Sequence, residues 1–319
     1  MKRPIPVLIA LTMTAVVLPR GANAESIAVF TKNTTNPFSK AIRLGSDTAG
    51  KKLSVDISHY IPTTADNAAE QSKLVEDAIA KKPDLIVFDP VDNAKMVPGI
   101  EKMNAAKIPL IEITDRAEGG QFVSRVLPDD YQLGLATARR LLKALDGKGN
   151  VVILEGIPTT TSSVDRVKGF NDALKEFPAV KLLASKSGGY QRKPAQDLME
   201  GWIRQFPQIE GVIAANDSMA AAAVETLEKR SRKSVVVGIN GSKEAIDLIK
   251  ADKMLATGEF NGFLIGCLAT EIAARNLRKQ PVPKEVILKA VVYDKANFQK
   301  YEARAEMREC PTLEDELKD

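Results

Sequence analysis

The sequence predicts an α/β protein made of two doubly wound parallel-sheet lobes. Two observations carry that expectation. Short apolar runs alternate with helical patterns along the whole chain, the mark of βαβ units with helices on both faces of a parallel sheet. Polar residues also cluster just after those runs, at the sheet edge where open parallel sheets bind ligands.

The runs are SIAVF, VDIS, DLIVF, PLIEI and FVSRV, then VVILE, KLLAS, GVIAA, SVVVG and MLATG. Several are continuous strings of Val, Ile and Leu, as strands buried on both faces require. Between them, Ala65–Lys81 and Ser162–Glu176 carry apolar residues at the spacing of one helix face. Asp66 or Asn67 is expected to cap the first of these helices and Pro83 to stop it. Ser162 or Ser163 is expected to cap the second, which carries Arg166. Asp146-Gly147-Lys148-Gly149 reads as a turn, since no helix follows it. Neither a GxGxxG after the first run nor a GxxxxGK[ST] occurs, so nucleotide chemistry has little support.

The polar clusters follow in order. TKNTTNPF comes after SIAVF, Asp89-Pro90-Val91-Asp92 after DLIVF, and Thr114-Asp115-Arg116 after PLIEI. GIPTTTSS with Asp165-Arg166 comes after VVILE, and Gly188-Gly189-Tyr190-Gln191-Arg192 after the KLLAS strand. Asn216-Asp217, Ile239-Asn240-Gly241 and Glu259-Phe260-Asn261 complete the set. That is more than one small site in one sheet can use. Two sheets facing each other at their carboxyl edges would use them all, and the chain divides into similar halves near Pro128–Asp130.

Lys2 and Arg3, the apolar stretch Ile5–Leu18 and Ala22-Asn23-Ala24 read as a secretory signal peptide cut after Ala24. The 295 residues that follow suffice for two domains. Without Lys2, Arg3 and Arg20 the formal charge falls from +4 to +1, which leaves no electrostatic case for nucleic acid. Two cysteines and one histidine are too few for a zinc site; His59 reads as an ordinary strand-end residue. Cys267 and Cys310 are a candidate disulfide or two free thiols in an oxidising compartment. A bond would tie the charged tail to the helix containing Cys267.

A set of motifs then recurs in order: NPF at Asn36–Phe38, DP at Asp89-Pro90, TDR at Thr114–Arg116, ANDSMA at Ala215–Ala220, VGINGS at Val237–Ser242 and LATGEF at Leu255–Phe260. On these the chain resembles the type I periplasmic sugar-binding proteins of ABC transporters, the group that includes ribose-binding protein, from Ser26 to about Tyr293. The resemblance implies a three-segment hinge near Pro128-Asp129, Phe260-Asn261 and Ile287-Leu288. It divides the chain into 25–128 plus 261–287 as one lobe and 129–260 plus 288–319, with the tail, as the other. It implies that the lobes close on a monosaccharide or polyol and that a membrane permease reads the closed form. No cofactor, no metal and a monomeric state are expected.

By position, Asn36, Phe38, Asp89, Asp115, Arg116, Arg166, Tyr190, Asn216, Asn240 and Phe260 match the family's ligand contacts, with Lys32 beside them. Carboxylates accept from sugar hydroxyls, guanidinium donates in a planar fork, and aromatic faces cover C–H groups. Asp217 is expected to cap the helix after Asn216. The pattern departs from ribose-binding protein: Lys32 stands for a small polar residue, Ser39 for a second aromatic, Asp89 for an amide, Asn240 for a carboxylate and Phe260 for a glutamine. Ribose itself is therefore not expected. Lys32, Arg116 and Arg166 together suit a sugar acid as the alternative ligand, unless Lys32 only neutralises Asp89. Two other functions share the cleft: a sensory protein presenting its ligand to a chemoreceptor or histidine kinase, and an enzyme using Asp89 and Asp115 as acid and base.

Overall fold

The computed structural model describes residues 24–301 and 309–317. The expected export signal, 1–24, lies outside them apart from Ala24. The chain first lays down β1 (Ser26–Phe30), α1 (Pro37–Leu53), β2 (Asp56–Tyr60), α2 (Ala68–Lys81), β3 (Leu85–Phe88), α3 (Val97–Ala105), β4 (Leu110–Ile113) and β5 (Ser124–Pro128). It continues through α4 (Asp130–Ala144), β6 (Lys148–Glu155), α5 (Thr161–Lys175), β7 (Ala179–Ser187), α6 (Arg192–Gln205), β8 (Gly211–Ala214), α7 (Asp217–Lys229), β9 (Val235–Ile239), α8 (Lys243–Lys250) and β10 (Ala256–Glu259). It ends with α9 (Gly262–Leu277), β11 (Glu285–Leu288), β12 (Val291–Asp294), a 3-10 turn (Phe298–Tyr301) and α10 (Leu313–Leu317).

Each of the ten apolar runs falls on one of β1 to β10. They build two sheets of the same strand order, β2-β1-β3-β4-β5-β11 and β7-β6-β8-β9-β10-β12. Leu85–Phe88 and Val151–Leu154 are buried at every position, which is why these strands read as unbroken apolar strings rather than alternating ones. The strand order reverses between β1 and β3 and between β6 and β8, and at such switch points the loops part to leave a crevice. One strand departs from the all-parallel expectation: β12 runs antiparallel to β10 at the sheet edge.

The chain passes between the sheets three times, after β5, after β10 and between β11 and β12. Two helix pairs lock this arrangement, α1 with α9 and α4 with α5. Their backbones approach closely because glycine stands at the crossings. A Cβ on Gly134 of α4 would lie 2.4 Å from the carbonyl oxygen of Arg166 on α5. We expect Gly134→Ala to push α5 outward and lower unfolding free energy by about 1–3 kcal/mol, the usual effect of overpacking. Urea melts check this, and an unchanged midpoint would refute it.

Cys267 of α9 and Cys310 are disulfide-bonded. The end of the tail therefore departs from its expected place with the second lobe. Lys52 Nζ donates to the Cys310 carbonyl at 3.1 Å, the Leu313 amide to Glu271 at 3.0 Å, and Arg275 Nη2 to Glu314 at 2.6 Å. Leu313 is buried. A charge-rich tail reads as a surface appendage, yet its last turn is fastened to α1 and α9 of the first lobe.

Candidate functional site

Both sheets turn their carboxyl edges toward one another, and the loops after the strands meet in a cleft. From the first lobe come Lys32 and Asn33 after β1, Asn36, Phe38 and Ser39 at the start of α1, Asp66 after β2, and Thr114 and Asp115 after β4. From the second come Ser162 and Arg166 on α5, Tyr190 after β7, Asn216 after β8, Asn240 after β9 and Phe260 after β10. These residues line one narrow cavity. Nine of the eleven expected residues are brought together there.

Two are not. Asp89 lies fully buried behind the lining, where it accepts from the Thr114 hydroxyl and sits 3.4 Å from Lys32 Nζ. Arg116 turns away from the cleft and pairs with Glu285 at 2.6 Å on the surface. The cause is local. Thr114 takes a left-handed backbone, φ 67°, and the turn aims Asp115 inward and Arg116 outward. Without Arg116, the expected three-cation set for a sugar acid does not assemble.

Helix starts supply several lining groups. Asn36 caps α1 by accepting from Phe38 N at 3.0 Å, and Asn216 caps α7 by accepting from Met219 N at 2.9 Å. Asn216, not Asp217, is therefore the cap. Asp217 instead accepts from Ser242 N and Thr257 Oγ1, both at 2.7 Å. Thr160 caps α5 in place of Ser162 or Ser163, which frees Ser162 Oγ to meet the Tyr190 hydroxyl at 3.1 Å. Asn67 caps α2. His59 bonds Asp47 at 2.8 Å, away from the cavity.

Both cations of the site are paired, while the lining carboxylate Asp66 is held by the side-chain amides of Asn33 and Gln191, each at 2.9 Å. Lys32 bonds Asp115 and approaches Asp89. Burial works against its ammonium, but Asp115 and then Asp89 outweigh burial and hold its pKa above the ordinary lysine value. Arg166 is buried at 1% exposure. Its Nε donates to Asp130 at 2.7 Å and its Nη1 to the Ala215 carbonyl at 2.8 Å. Burial pushes Asp130 up to about 6, with Arg166 opposing. Phe260 stacks on Phe38 with centroids 4.0 Å apart, and the Arg166 guanidinium lies 4.5 Å over the Phe260 ring. Both cannot occupy one face, so Phe260 is sandwiched between Phe38 and Arg166.

Two fully buried lining atoms have no hydrogen-bond partner among the described residues: Arg166 Nη2, a donor, and Asn240 Oδ1, an acceptor. Thr114, Tyr190 (φ 61°) and Asn240 (φ 148°) all hold positive φ, and such strain gathers at functional sites.

Burial pushes Asp89 up to about 7, with Lys32 opposing, whereas in the unfolded chain it titrates near 3.9. Between those values the native state binds the extra proton, so stability falls as pH rises through that window. We expect Asp89→Asn to reduce this slope in thermal melts between about pH 4 and pH 7, with Asp130 and Asp217, also raised, supplying part of the remainder. An identical slope in the variant would sink the assignment.

Residues 27–281 match the family model described as a periplasmic binding protein domain. The chain belongs to this family. Membership implies an exported, periplasmic protein. The binding protein is 30% identical to a D-apiose import binding protein of Paraburkholderia graminis over 91% of its own chain and 94% of the relative's. It is 30% identical to a xylitol-binding protein of Mycolicibacterium smegmatis, over 68% of its chain and 62% of the relative's. Its fold matches a periplasmic solute-binding protein of an ABC transporter from Actinobacillus succinogenes, solved with bound D-allose, at TM-score 0.82 and 30% identity, covering 86% of this chain and 99% of that one. Relatives of this kind are solute-binding proteins rather than enzymes. No helix among the described residues is long and apolar enough to cross a membrane.

Asn33, Ser39, Asp66, Thr114 and Ser162 are lining residues that sequence reasoning did not select. Asn33, Asp66 and Thr114 are polar residues at strand ends like those that were chosen, so the edge rule could have found them.

Proposed function

We propose that the protein is cut after Ala24 and captures a neutral monosaccharide or polyol between its lobes. It then presents the closed, loaded form to the permease of an ABC importer. The observation that supports a neutral ligand is the charge pairing. Lys32 is matched by Asp115 and Asp89, and Arg166 by Asp130. Two buried lining groups are left to the ligand, a donor on Arg166 and an acceptor on Asn240, with the Phe38 ring in the same lining. A hydroxyl both accepts and donates, so neighbouring hydroxyls of a sugar satisfy both atoms. The carboxylate of a sugar acid would meet the lining carboxylates Asp115 and Asp66, a like-charge contact that a neutral sugar avoids.

The same pairing weighs against catalysis. Asp89 and Asp115 share Lys32 instead of flanking a reacting bond as acid and base. Calorimetry with pentoses, hexoses, alditols and aldonates tests the reading. A neutral member should bind at micromolar Kd or tighter, about −8 kcal/mol or stronger, and be recovered unchanged. Binding by aldonates alone would overturn it.

A further inference from the structure

The lobes touch directly beside the cavity, and one contact is built as a peg in a socket. Thr161 is the first residue of α5, and its half-buried side chain meets the loops after β3 and β4 of the first lobe. Its hydroxyl accepts from Asn93 Nδ2 at 2.6 Å and from the Arg116 amide at 3.2 Å, and donates to the Arg116 carbonyl at 3.4 Å. A hydroxyl has one donor and two acceptor positions, so this one is filled, each time from the opposite lobe. Two further bonds flank it. The Asn93 amide donates to the Thr159 carbonyl at 3.2 Å, and the Ser162 amide donates to Asp115 Oδ1 at 2.6 Å.

The socket holds its shape through bonds within its own lobe. Asp92 Oδ1 accepts from the amides of Ala94 and Lys95 at 3.1 and 2.8 Å, and the Asn93 carbonyl accepts from the Glu118 amide at 3.0 Å. The peg is fixed as well, because the Thr160 hydroxyl donates to the Ile157 carbonyl at 2.9 Å and caps α5. Two preformed parts lose little conformational freedom when they meet. Asn93 and Thr161 are both absent from the cavity lining.

We propose that Thr161 and Asn93 form a latch: positioning residues that set how long the lobes stay closed, with no part in choosing the ligand. This rests on the interlobe-capture reading above. Cavity residues discriminate among ligands, whereas the latch acts equally on all of them, so its effect falls on release rather than on ranking.

The test uses Thr161→Val, which keeps the shape and loses the hydroxyl, and Thr161→Ser, which keeps the hydroxyl. Release of D-allose, D-ribose and xylitol is followed by stopped flow for whichever of them bind. Thr161→Val should speed release up to about tenfold by a similar factor for each sugar, and Thr161→Ser should behave as the parent. Unchanged release in Thr161→Val, an equal effect in Thr161→Ser, or a changed ranking of sugars would overturn the latch. If none of the three sugars binds, that failure belongs to the ligand class, and a second measurement decides the latch. Spin labels on exposed helix positions, one per lobe, report interlobe distance without sugar. A smaller short-distance population in Thr161→Val than in Thr161→Ser supports the latch, and equal distributions refute it.

Discussion

Arg166→Met should lower unfolding free energy by about 3–5 kcal/mol, the effect of leaving a buried partner charge unpaired. The residue is 1% exposed and its side chain bonds Asp130 at 2.7 Å. Its removal strands Asp130 in the interior, opens the Ala215 carbonyl and uncovers one face of Phe260. Ligand affinity should fall as well, by about 1.5–3 kcal/mol, the range for a hydrogen bond to a charged group. A second substitution separates the two effects. Arg166→Met with Asp130→Leu replaces the ion pair by apolar groups and should regain much of the stability, yet the lost donor keeps affinity low. Urea melts and calorimetry on the single and double variants read both quantities. Full recovery of affinity in the double variant would remove Arg166 from the ligand's partners.

Reducing the Cys267–Cys310 bond is the other large perturbation. The bond closes a loop with a sequence separation of 43. In the chain-entropy model such a closure contributes about 4 kcal/mol. The loop contains β11 of the first sheet and β12 of the second, so it constrains both lobes in the unfolded chain. Guanidinium melts with and without reductant, and of Cys310→Ser, should show that loss. A difference below about 1 kcal/mol would mean that the tail docks through Leu313 and the Arg275–Glu314 pair without help from the bond.

The strands were legible because burial on both faces demands unbroken apolar strings, as in Leu85–Phe88. The cleft was legible because polar residues were confined to one end of those strings. Side-chain direction within a loop was not. Asp115 and Arg116 are neighbours, and only the left-handed Thr114 before them decides which one enters the cleft. Partners distant in sequence were equally hidden. Asp130 looks like an ordinary acidic residue in the first turn of a helix, and nothing near it marks Arg166, 36 positions later, as its counter-ion. Asn67 caps α2 as expected, but the caps of α5 and α7 lie one to three residues before the expected ones, because any of several adjacent Ser, Thr, Asn and Asp side chains can do that work.

The order in which the chain visits its sheets has a consequence for biosynthesis. β11, which extends the first sheet beside β5, and α9, which packs on α1, are both made after the whole run from α4 to β10. The second sheet gains β12 only a few residues later. A nascent chain ending before α9 owns neither finished lobe, and β5 must await a partner more than 150 residues downstream. Pairings so far apart fold slowly. For a protein of an exported family, slow closure of the lobes favours a chain that is still unfolded when it is translocated.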